Sequence, residues 1–475
     1  MRYIQGISRE QVTLFPETID EYITDENPVR FIEAFVGNLD LVGMEFTYSE
    51  TKDTGRKPYN PGDLLKLYIY GYLSRIRSSR QLERECNRNV ELMWLMRKLR
   101  PDFKTIADFR RDNVKAIKGV CREFLLLCKK LDLFGTELIA IDGSKFSAVN
   151  SNNRSYTKKK IEKVIKNIDK EISEYIRILD KNDNKENVLD DSSVTGIKEK
   201  IEYLKKRKEE IKDIEEKIES SVEGQVNLTD PDSRMMKTNR GNDVSYNVQI
   251  ATESKNKLIV SHEVTNDIND QNQLSNMAVK AKQFLGVEEL EVVADKGYYK
   301  DMEIKKCYDE KIECYVPKPE SSNNKSLGLY TKDDFRYDTE NDCYICPAGE
   351  KLKYQHTVEK LGKELKVYST KYCKECKQKP QCTRMQRNRR IYRWVHEEII
   401  EEMRRKTLNN GHKVDLRKSL VEHPFGTIKH WMGYDSFLVR GSEKVSSEMS
   451  LIVLMYNIKR AINILGVKKL IKALT

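Results

Sequence analysis

The sequence predicts a mixed α/β fold with a helical N-terminal region. Apolar residues recur at helical spacing through residues 1–130, and short apolar runs of buried-strand length begin at residue 136. Helical segments follow these runs, as in layered α/β proteins. Two segments, 151–225 and 330–395, look inserted into this core. At roughly 100–200 residues per domain, the chain has room for about three units.

The composition limits the class of protein. The chain has 475 residues, of which 38% are apolar and 34% charged. It is too charged for a membrane protein and too apolar for a disordered one. The N-terminus has no apolar signal core, so we expect a cytoplasmic location. A net charge of +11 suggests a polyanionic partner, although many basic proteins bind no anion.

Residues 1–130 should form a set of helices joined by short polar turns. Pro28 and Pro61 each begin a helix, Ser79 caps a third that extends to about residue 99, and a fourth runs from about Thr105 to Leu131. A compact helical DNA-binding domain fits this pattern, and so does a bundle whose arginines are merely solvated. Those arginines are Arg77, Arg80, Arg84, Arg88, Arg97, Arg100, Arg110 and Arg111.

Strands are predicted between residues 136 and 316. Strand length and flanking turn residues identify five of them. A turn at 253–256 joins the second and third strands into a hairpin. The predicted strands are 138–141, 244–252, 257–264, 289–294 and 313–316.

The first inserted segment, 151–225, has the pattern of a helical hairpin. Apolar residues alternate at spacings of four and three from Ile161 to Leu179, and a second apolar run extends from Ile197 to Ile218. A polar linker at 180–196 separates the two runs. We expect an antiparallel coiled coil that acts as a spacer or an oligomerisation arm.

The second inserted segment, 330–395, holds five cysteines. Two CxxC pairs separated by 26 residues match a zinc-ribbon-like knuckle. One ligand set for structural Zn²⁺ is Cys346, Cys373, Cys376 and Cys382, and Cys343 could replace Cys346 or Cys382. Reduced cysteines without a metal are the alternative.

An arginine-rich run follows the cysteines and contains no acid. Arginines interleaved with aromatic residues suit phosphate contact and base stacking, whereas a solvated basic loop would show the same composition. The residues of this run are Arg384, Arg387, Arg389, Arg390, Tyr392, Arg393 and Trp394.

Two aspartates share one local context. Asp142 and Asp295 each end an apolar strand, and the chemistry of open α/β sheets collects at strand ends. Mg²⁺ prefers oxygen ligands, and two or three carboxylates suffice for a phosphoryl-transfer site with two ions about 3.5–4 Å apart. Either aspartate could instead simply cap a turn.

Glu422 is the third candidate acid. Lys418 precedes it by four residues and Lys429 follows it by seven, which on one continuous helix places all three on a common stripe. Pro424 complicates this pattern, because it can kink the helix or start a new one. An amphipathic surface helix with ordinary i, i+4 charge pairs is the alternative.

The motifs around these acids resemble those of bacterial insertion-sequence transposases of the DDE class. They are IDGSKF at Asp142, VVADKGYY at Asp295 and VEHPFGTIKHW at Glu422. Further segments are similar to the same family, and the similarity covers nearly the whole chain in the expected order. Those segments are KPYNPGDLLKLYIYGYLSRIRSSRQLEREC, FKTIADFRRDN, TDPDSRMMK and CPAGEKL with CKECKQKPQCT.

The resemblance implies a division of the chain into two domains. Residues 1–130 would be a helical DNA-binding domain. Residues 131–475 would be an RNase H-like catalytic domain interrupted by the two inserts. In that domain Asp142, Asp295 and Glu422 would hold two Mg²⁺ (or Mn²⁺) ions.

The resemblance also implies a Tyr-x2-Arg-x3-Glu-x6-Lys signature around the last acid. Lys429 matches its lysine, which grips DNA phosphates, whereas Lys418 stands at the arginine position with Arg417 beside it. Asp415 replaces the tyrosine. Trp431 could stack a flipped base, although we expect a core tryptophan.

The function that the resemblance implies is cut-and-paste DNA transposition. The protein would bind the terminal inverted repeats of its element as a homodimer, cleave double-stranded DNA and transfer the ends to a target. The DNA contacts would include Arg387, Arg389 and Arg390. Three alternatives stay open: a nuclease of the same fold that only hydrolyses, a catalytically inactive DNA-binding protein, and a zinc-dependent nucleic-acid-binding module.

Overall fold

The computed structural model describes residues 18–50, 57–183, 191–220, 224–238, 241–319 and 323–474. The N-terminal helices are α1 (Pro28–Gly37), α2 (Pro61–Leu73), α3 (Ser79–Cys86), α4 (Val90–Leu95), α5 (Phe103–Asp112) and α6 (Val114–Lys130). The central elements are β1 (Leu138–Ser147), β2 (Ser155–Thr157), α7 (Lys158–Asp183), α8 (Asp191–Glu219), β3 (Gln225–Asn227), β4 (Arg234–Thr238), β5 (Gly241–Glu253), β6 (Ile259–Thr265), α9 (Leu274–Leu285), β7 (Leu290–Val293), α10 (Asp301–Asp309) and β8 (Ile312–Tyr315). The C-terminal elements are α11 (Asn323–Ser326), β9 (Arg336–Asp338), β10 (Cys343–Ile345), β11 (Lys351–Lys360), β12 (Lys363–Ser369), α12 (Lys379–Cys382), β13 (Arg390–Trp394), α13 (Glu397–Asn409), α14 (Gly411–Gly426), α15 (Ser442–Leu465) and α16 (Val467–Lys472).

The N-terminal region is helical as predicted, but two of its predicted helices are each divided in two. The predicted helix after Ser79 breaks between α3 and α4, where Asn89 accepts hydrogen bonds from the backbone N–H groups of Glu91 and Leu92. The predicted fourth helix breaks at Asn113 into α5 and α6. The Asn113 side chain bonds Thr47 and the Phe109 carbonyl instead of facing solvent. Short amide side chains compete for backbone groups, which is why they end helices here.

The central sheet confirms the predicted α/β class and has an RNase H-like order. β1 lies in the middle, antiparallel to β5 and parallel to β7, and β8 extends the parallel side. On the edge of β5 away from β1, β4 pairs with the first part of β5 and β6 pairs with its second part, both antiparallel. The predicted hairpin is present as β5 and β6, and the predicted strands at 289–294 and 313–316 are β7 and β8.

The N-terminal helices and the sheet share one continuous hydrophobic core. Helix α15 is buried along most of its length and packs against α2, α6 and β6. A polar contact lies inside this packing: the buried Glu448 of α15 accepts a hydrogen bond from the Tyr72 hydroxyl at 3.1 Å. Arg77 lies 3.8 Å from the same carboxylate. The N-terminal helices are therefore held against α15 and the central sheet by both apolar and polar contacts.

The two inserted segments each have a separate small core. Helices α7 and α8 form a hairpin whose base, next to the β2–β3 pair, buries Tyr156, Ile161, Ile211, Ile214 and Ile218. The middle of the predicted linker, 184–190, lies outside the described residues. Strands β9 to β13 form an antiparallel sheet in the order β13-β12-β11-β10-β9. Among the described helices, none is long and apolar enough to cross a membrane.

Candidate active site

Asp142 lies within β1, and Asp295 lies just beyond the end of the neighbouring strand β7. Ala140 of β1 pairs with Val293 of β7 in parallel register, and Asp142 and Asp295 follow these two residues by two positions each. The Asp295 carboxylate also caps the turn after β7, as the alternative interpretation predicted, by accepting a hydrogen bond from the Gly297 N–H at 2.8 Å. The sequence prediction that Asp142 ends its strand is wrong. β1 continues to Ser147 because its other edge stays paired with β5, so only the β7 side opens at the aspartates.

The environment of Asp142 favours a bound cation or proton. Burial, and then the neighbouring Asp295 carboxylate, raise the pKa of Asp142 to about 6, against the opposing effect of the Arg417 guanidinium. Arg417 Nη1 lies 3.4 Å from Asp142 Oδ2. The Gly143 N–H donates to the other carboxylate oxygen at 3.0 Å. One guanidinium thus only partly offsets the cost of keeping this carboxylate ionised.

Helix α14 covers the face of β1 that carries Asp142. Leu420 and Val421 pack against alternate residues of β1, Leu138 and Ala140. Two residues beyond Asp142, the Ser144 hydroxyl accepts a hydrogen bond from Lys429 Nζ at 2.6 Å. Successive even-numbered residues of a strand share one face, so Arg417 at Asp142 and Lys429 at Ser144 contact neighbouring positions on the same face.

Glu422 is placed differently from the two aspartates. It lies on α14, and its side chain is exposed. Helix α14 passes through Pro424 to Gly426 without ending, and a π-helical segment, Thr427–Trp431, follows. Because a π-helix turns less per residue, the seven-residue spacing from Glu422 to Lys429 no longer returns to one stripe.

The structure therefore brings two of the three predicted acids together. Among the described residues, no three His, Cys, Asp or Glu side chains converge closely enough to hold a metal ion. Asp142 and Asp295 fit a hard divalent cation, because they are adjacent carboxylates whose mutual repulsion is only partly compensated. Glu422 would complete such a site only after a movement of α14 or of its own side chain.

The sequence reasoning missed a buried polar network behind the two aspartates. Asp270 Oδ1 accepts hydrogen bonds from Asn247 and Gln249, both at 2.7 Å, and Gln249 in turn accepts one from the Tyr298 hydroxyl. Gly143 lies against this network: an added Cβ would come within 2.4 Å of the Gln249 amide nitrogen. The signal was the alternation of Asn247 and Gln249 with the apolar residues Tyr246, Val248 and Ile250 in the middle of the strand.

The cations predicted to bind DNA have several environments. Arg417 points at Asp142. Its neighbour Lys418, which stands at the arginine position of the signature, is exposed. Lys429 also donates to the Lys145 carbonyl at 2.6 Å and lies 4.4 Å from the Phe146 ring centroid. The lysine of the signature is thus anchored on β1 beside the two aspartates.

The arginine-rich run is only partly a free basic surface. Arg393 is buried and forms a two-point ion pair with Glu401, and Arg389 contacts the Tyr330 carbonyl at 3.3 Å. Trp394 is also buried, with 4% of its surface exposed. Arg387 and Arg390 are exposed and stay available to a ligand.

Four of the five cysteines in the second insert line one small cavity. They are Cys346, Cys373, Cys376 and Cys382, the first of the predicted ligand sets. Burial raises the pKa of the Cys382 thiol, and the Cys373, Cys346 and Cys376 thiols raise it further against the opposing effect of Arg389. Cys343 is buried in β10 and does not line this cavity.

Comparisons with known proteins give two family matches. A family described as "Transposase domain (DUF772)" matches residues 17–112, and one described as "Transposase DDE domain" matches residues 345–462. The second match contains Glu422 and Lys429 but neither Asp142 nor Asp295. No curated protein matches the chain.

A solved structure of piggyBac transposase, a synaptic complex with hairpin DNA, is 8% identical to this chain. The alignment covers 94% of this chain and 79% of that one with a TM-score of 0.31, a similarity too low to support a conclusion. The two family matches confirm the predicted resemblance to DDE-class transposases.

Proposed function

We propose that this chain, which carries two matched transposase domains, is a DNA transposase that excises its own element and inserts it elsewhere. The observation that carries the proposal is the proximity of Asp142, in β1, to Asp295, which follows the neighbouring parallel strand β7 by two residues. Two neighbouring carboxylates beside the cations Arg417 and Lys429 suit metal-dependent chemistry on a phosphodiester.

Asp142 and Asp295 would hold the divalent metal, Mg²⁺ or Mn²⁺, and Glu422 would join them from α14. Two such ions, when bound, activate the attacking oxygen and stabilise the leaving oxygen. Around them, Arg417 and Lys429 would hold the phosphates that flank the scissile bond, and Lys418 would contact the next phosphate along α14.

The reaction would have two steps at one site. Water attacks the phosphodiester at each element end, which leaves a 3′-OH and a 5′-phosphate. The freed 3′-OH then attacks a target phosphodiester, forms a new ester bond and releases a target 3′-OH. Both steps are in-line displacements at phosphorus, so one arrangement of carboxylates and cations serves both.

DNA recognition would come from outside this centre. The helical residues 1–130 would bind the terminal inverted repeats, and the exposed Arg387 and Arg390 would add phosphate contacts. Two ends must be held together, so we expect a homodimer, with the α7–α8 hairpin as a candidate contact.

A structural Zn²⁺ ion would stabilise the second insert. Four cysteines line one cavity without converging closely enough to hold an ion, so the proposal requires their thiols to move together when Zn²⁺ binds. Zinc content measured by elemental analysis of purified protein should be near one ion per chain. Cys376→Ser should lose the metal, whereas Cys343→Ser should keep it. Equal zinc content in the two variants, or none in the wild type, contradicts this assignment.

A strand-transfer assay tests the proposed function. Pre-cut element ends with a free 3′-OH are incubated with a supercoiled plasmid, Mg²⁺ and the protein. Covalent joining of the ends to the plasmid is expected. Cleavage of uncut element ends with no joining would instead identify a nuclease that only hydrolyses.

A catalytically inactive DNA-binding protein is the second candidate. The exposed position of Glu422, apart from the two aspartates, favours it. Specific binding of element ends with no cleavage under Mg²⁺ or Mn²⁺ would establish this function.

A further inference from the structure

Trp431 lies on the surface between two cations. The prediction that it is a core residue is wrong, because 46% of its surface is exposed. Arg75 Cζ lies 4.1 Å from the Trp431 ring centroid, and Lys459 Nζ lies 2.7 Å from it. The three residues come from different parts of the chain: the turn after α2, the end of the π-helical segment, and α15.

Neither cation is neutralised by an acid. In the part of the chain that the structure describes, the ion pairs include neither Arg75 nor Lys459. Burial, and then the nearby Arg75, lower the pKa of Lys459, as expected for two cations held close together. A cation held against an aromatic face keeps its N–H groups free for another ligand. The arrangement therefore has unused donors and uncompensated positive charge, which suit an anion.

The backbone at Arg75 supports a role beyond packing. Its φ is 64°, in the left-handed region that ends helices and that glycine or asparagine usually occupies. The Ile76 N–H closes this turn by donating to the Gly71 carbonyl at 2.6 Å. An arginine is a poor choice for such a position on conformational grounds alone.

The position of the trio also links it to the candidate active site. Trp431 follows Glu422 by nine residues, along the last turn of α14 and then the π-helical segment. Lys429, two residues before Trp431, bonds Ser144 on the face of β1 that carries Asp142. Arg75 belongs to the N-terminal helical region. An anion bound here would lie between that region and the two aspartates.

We propose that Arg75 and Lys459, held in place by Trp431, bind a backbone phosphate of the DNA as it runs from the N-terminal helices to the Asp142–Asp295 site. This inference rests on the proposed function. A phosphate contact positions DNA without reading its sequence, so the effect should be the same on element-end DNA and on unrelated duplex DNA.

The test is the salt dependence of binding to a 30-base-pair duplex. Each phosphate contact contributes about 0.9 to the slope of log K against log[salt], so Arg75→Asn and Lys459→Gln should each reduce the slope by about one. Affinity should fall about three- to tenfold on both element-end and unrelated duplexes. Arg336→Gln is the matched control: it removes one positive charge from an exposed arginine of β9, outside the residues proposed to bind DNA, and should have a smaller effect.

Arg75→Asn separates binding from folding. Asparagine tolerates the left-handed backbone better, so the melting temperature should be unchanged or higher while DNA affinity falls. A lower melting temperature with an unchanged salt slope would mean that the trio only packs, and would overturn the inference. Equal effects of Arg75→Asn and Arg336→Gln would also overturn it. Failure of the wild type to bind DNA would instead refute the proposed function, and this inference with it.

Discussion

The aspartates and the glutamate of the candidate site are held by different kinds of structure. Asp142 and Asp295 are fixed by the register of β1 and β7, in which Ala140 pairs with Val293. Glu422 lies on α14, which continues through Pro424 into a π-helical segment, and its side chain is exposed. Sheet register fixes the distance between two side chains, whereas a covering helix can shift and turn. In the proposed metal site the two aspartates would therefore keep their positions, and α14 would be the part that moves.

The largest expected effect on cleavage is at Glu422, the acid carried by helix α14. If Glu422 joins the aspartates when metal and DNA bind, Glu422→Gln should lower the cleavage rate at least about a hundredfold, because one metal-ligand oxygen is lost. The rate is measured on element-end DNA with saturating Mn²⁺. Glu443→Gln, an exposed glutamate in the first turn of α15, is the control and should cleave normally. Normal cleavage by Glu422→Gln would show that Glu422 is not part of the site, which would then contain only Asp142 and Asp295 of the three predicted acids.

Two glycine substitutions compare the rigid and adjustable regions directly. Gly143→Ala should destabilise the fold by about 1–3 kcal/mol, because the new methyl group meets the side chains of the hydrogen-bonded pair Gln249 and Asp270, of which Gln249 is fully buried. The nearest of these are the Gln249 amide at 2.4 Å and Asp270 Oδ1 at 2.6 Å. Gly426→Ala, at the end of α14, meets nothing within 4 Å and should be neutral or slightly stabilising. Thermal melts measure both.

The reverse result would contradict this contrast. If Gly143→Ala were tolerated and Gly426→Ala were harmful, β1 would be the yielding element and α14 the tightly packed one. Cleavage should follow the same order, since the Gly143 N–H donates to the Asp142 carboxylate at 3.0 Å.

A pH-dependent effect is expected on stability without metal. The pKa of Asp142 is raised from 3.8 to about 6 in the folded protein, so the folded state binds a proton more tightly than the unfolded state. Below about pH 4 the carboxyl is protonated in both states and costs nothing. As the pH rises from about 4 to 6 the unfolded state ionises first, and stability falls by about 3 kcal/mol.

Asp142→Asn should remove that loss. In EDTA the variant should melt higher than the wild type at pH 7.5, and the difference should disappear near pH 4. Added Mg²⁺ should stabilise the wild type more than the variant, because a bound cation neutralises the ionised Asp142 carboxylate. A wild type that melts higher than Asp142→Asn in EDTA at pH 7.5 would contradict the raised pKa.

Much of the sheet could be predicted from the sequence. The strands that became β5, β6, β7 and β8 were recognisable because apolar runs are bounded by turn residues, and Asp295 follows its strand as expected. The extent of β1 was not recognisable. Its second half, from Asp142 to Ser147, is mostly polar and is a strand because β5 pairs with it.

The details of the site needed three-dimensional information. Local polarity did not indicate that Arg417 instead of Lys418 would face Asp142, or that a π-helical segment would follow Pro424. The exposure of Trp431 depends on residues distant in sequence, Arg75 and Lys459. The sequence also could not decide which four of the five cysteines lie together. In the folded protein Cys343 is buried in β10, away from the cavity that the other four line.

The central claim is that Asp142 and Asp295 form one metal-dependent DNA-cleaving site. The most direct measurement is a cleavage gel with DNA carrying the element's own ends, with Mg²⁺ or Mn²⁺. Wild-type protein should nick at the element boundaries, and Asp295→Ala should not. Asp309→Ala, which changes an exposed aspartate of α10, should cut as the wild type does. Metal-dependent cutting by Asp295→Ala at the wild-type rate would contradict the account.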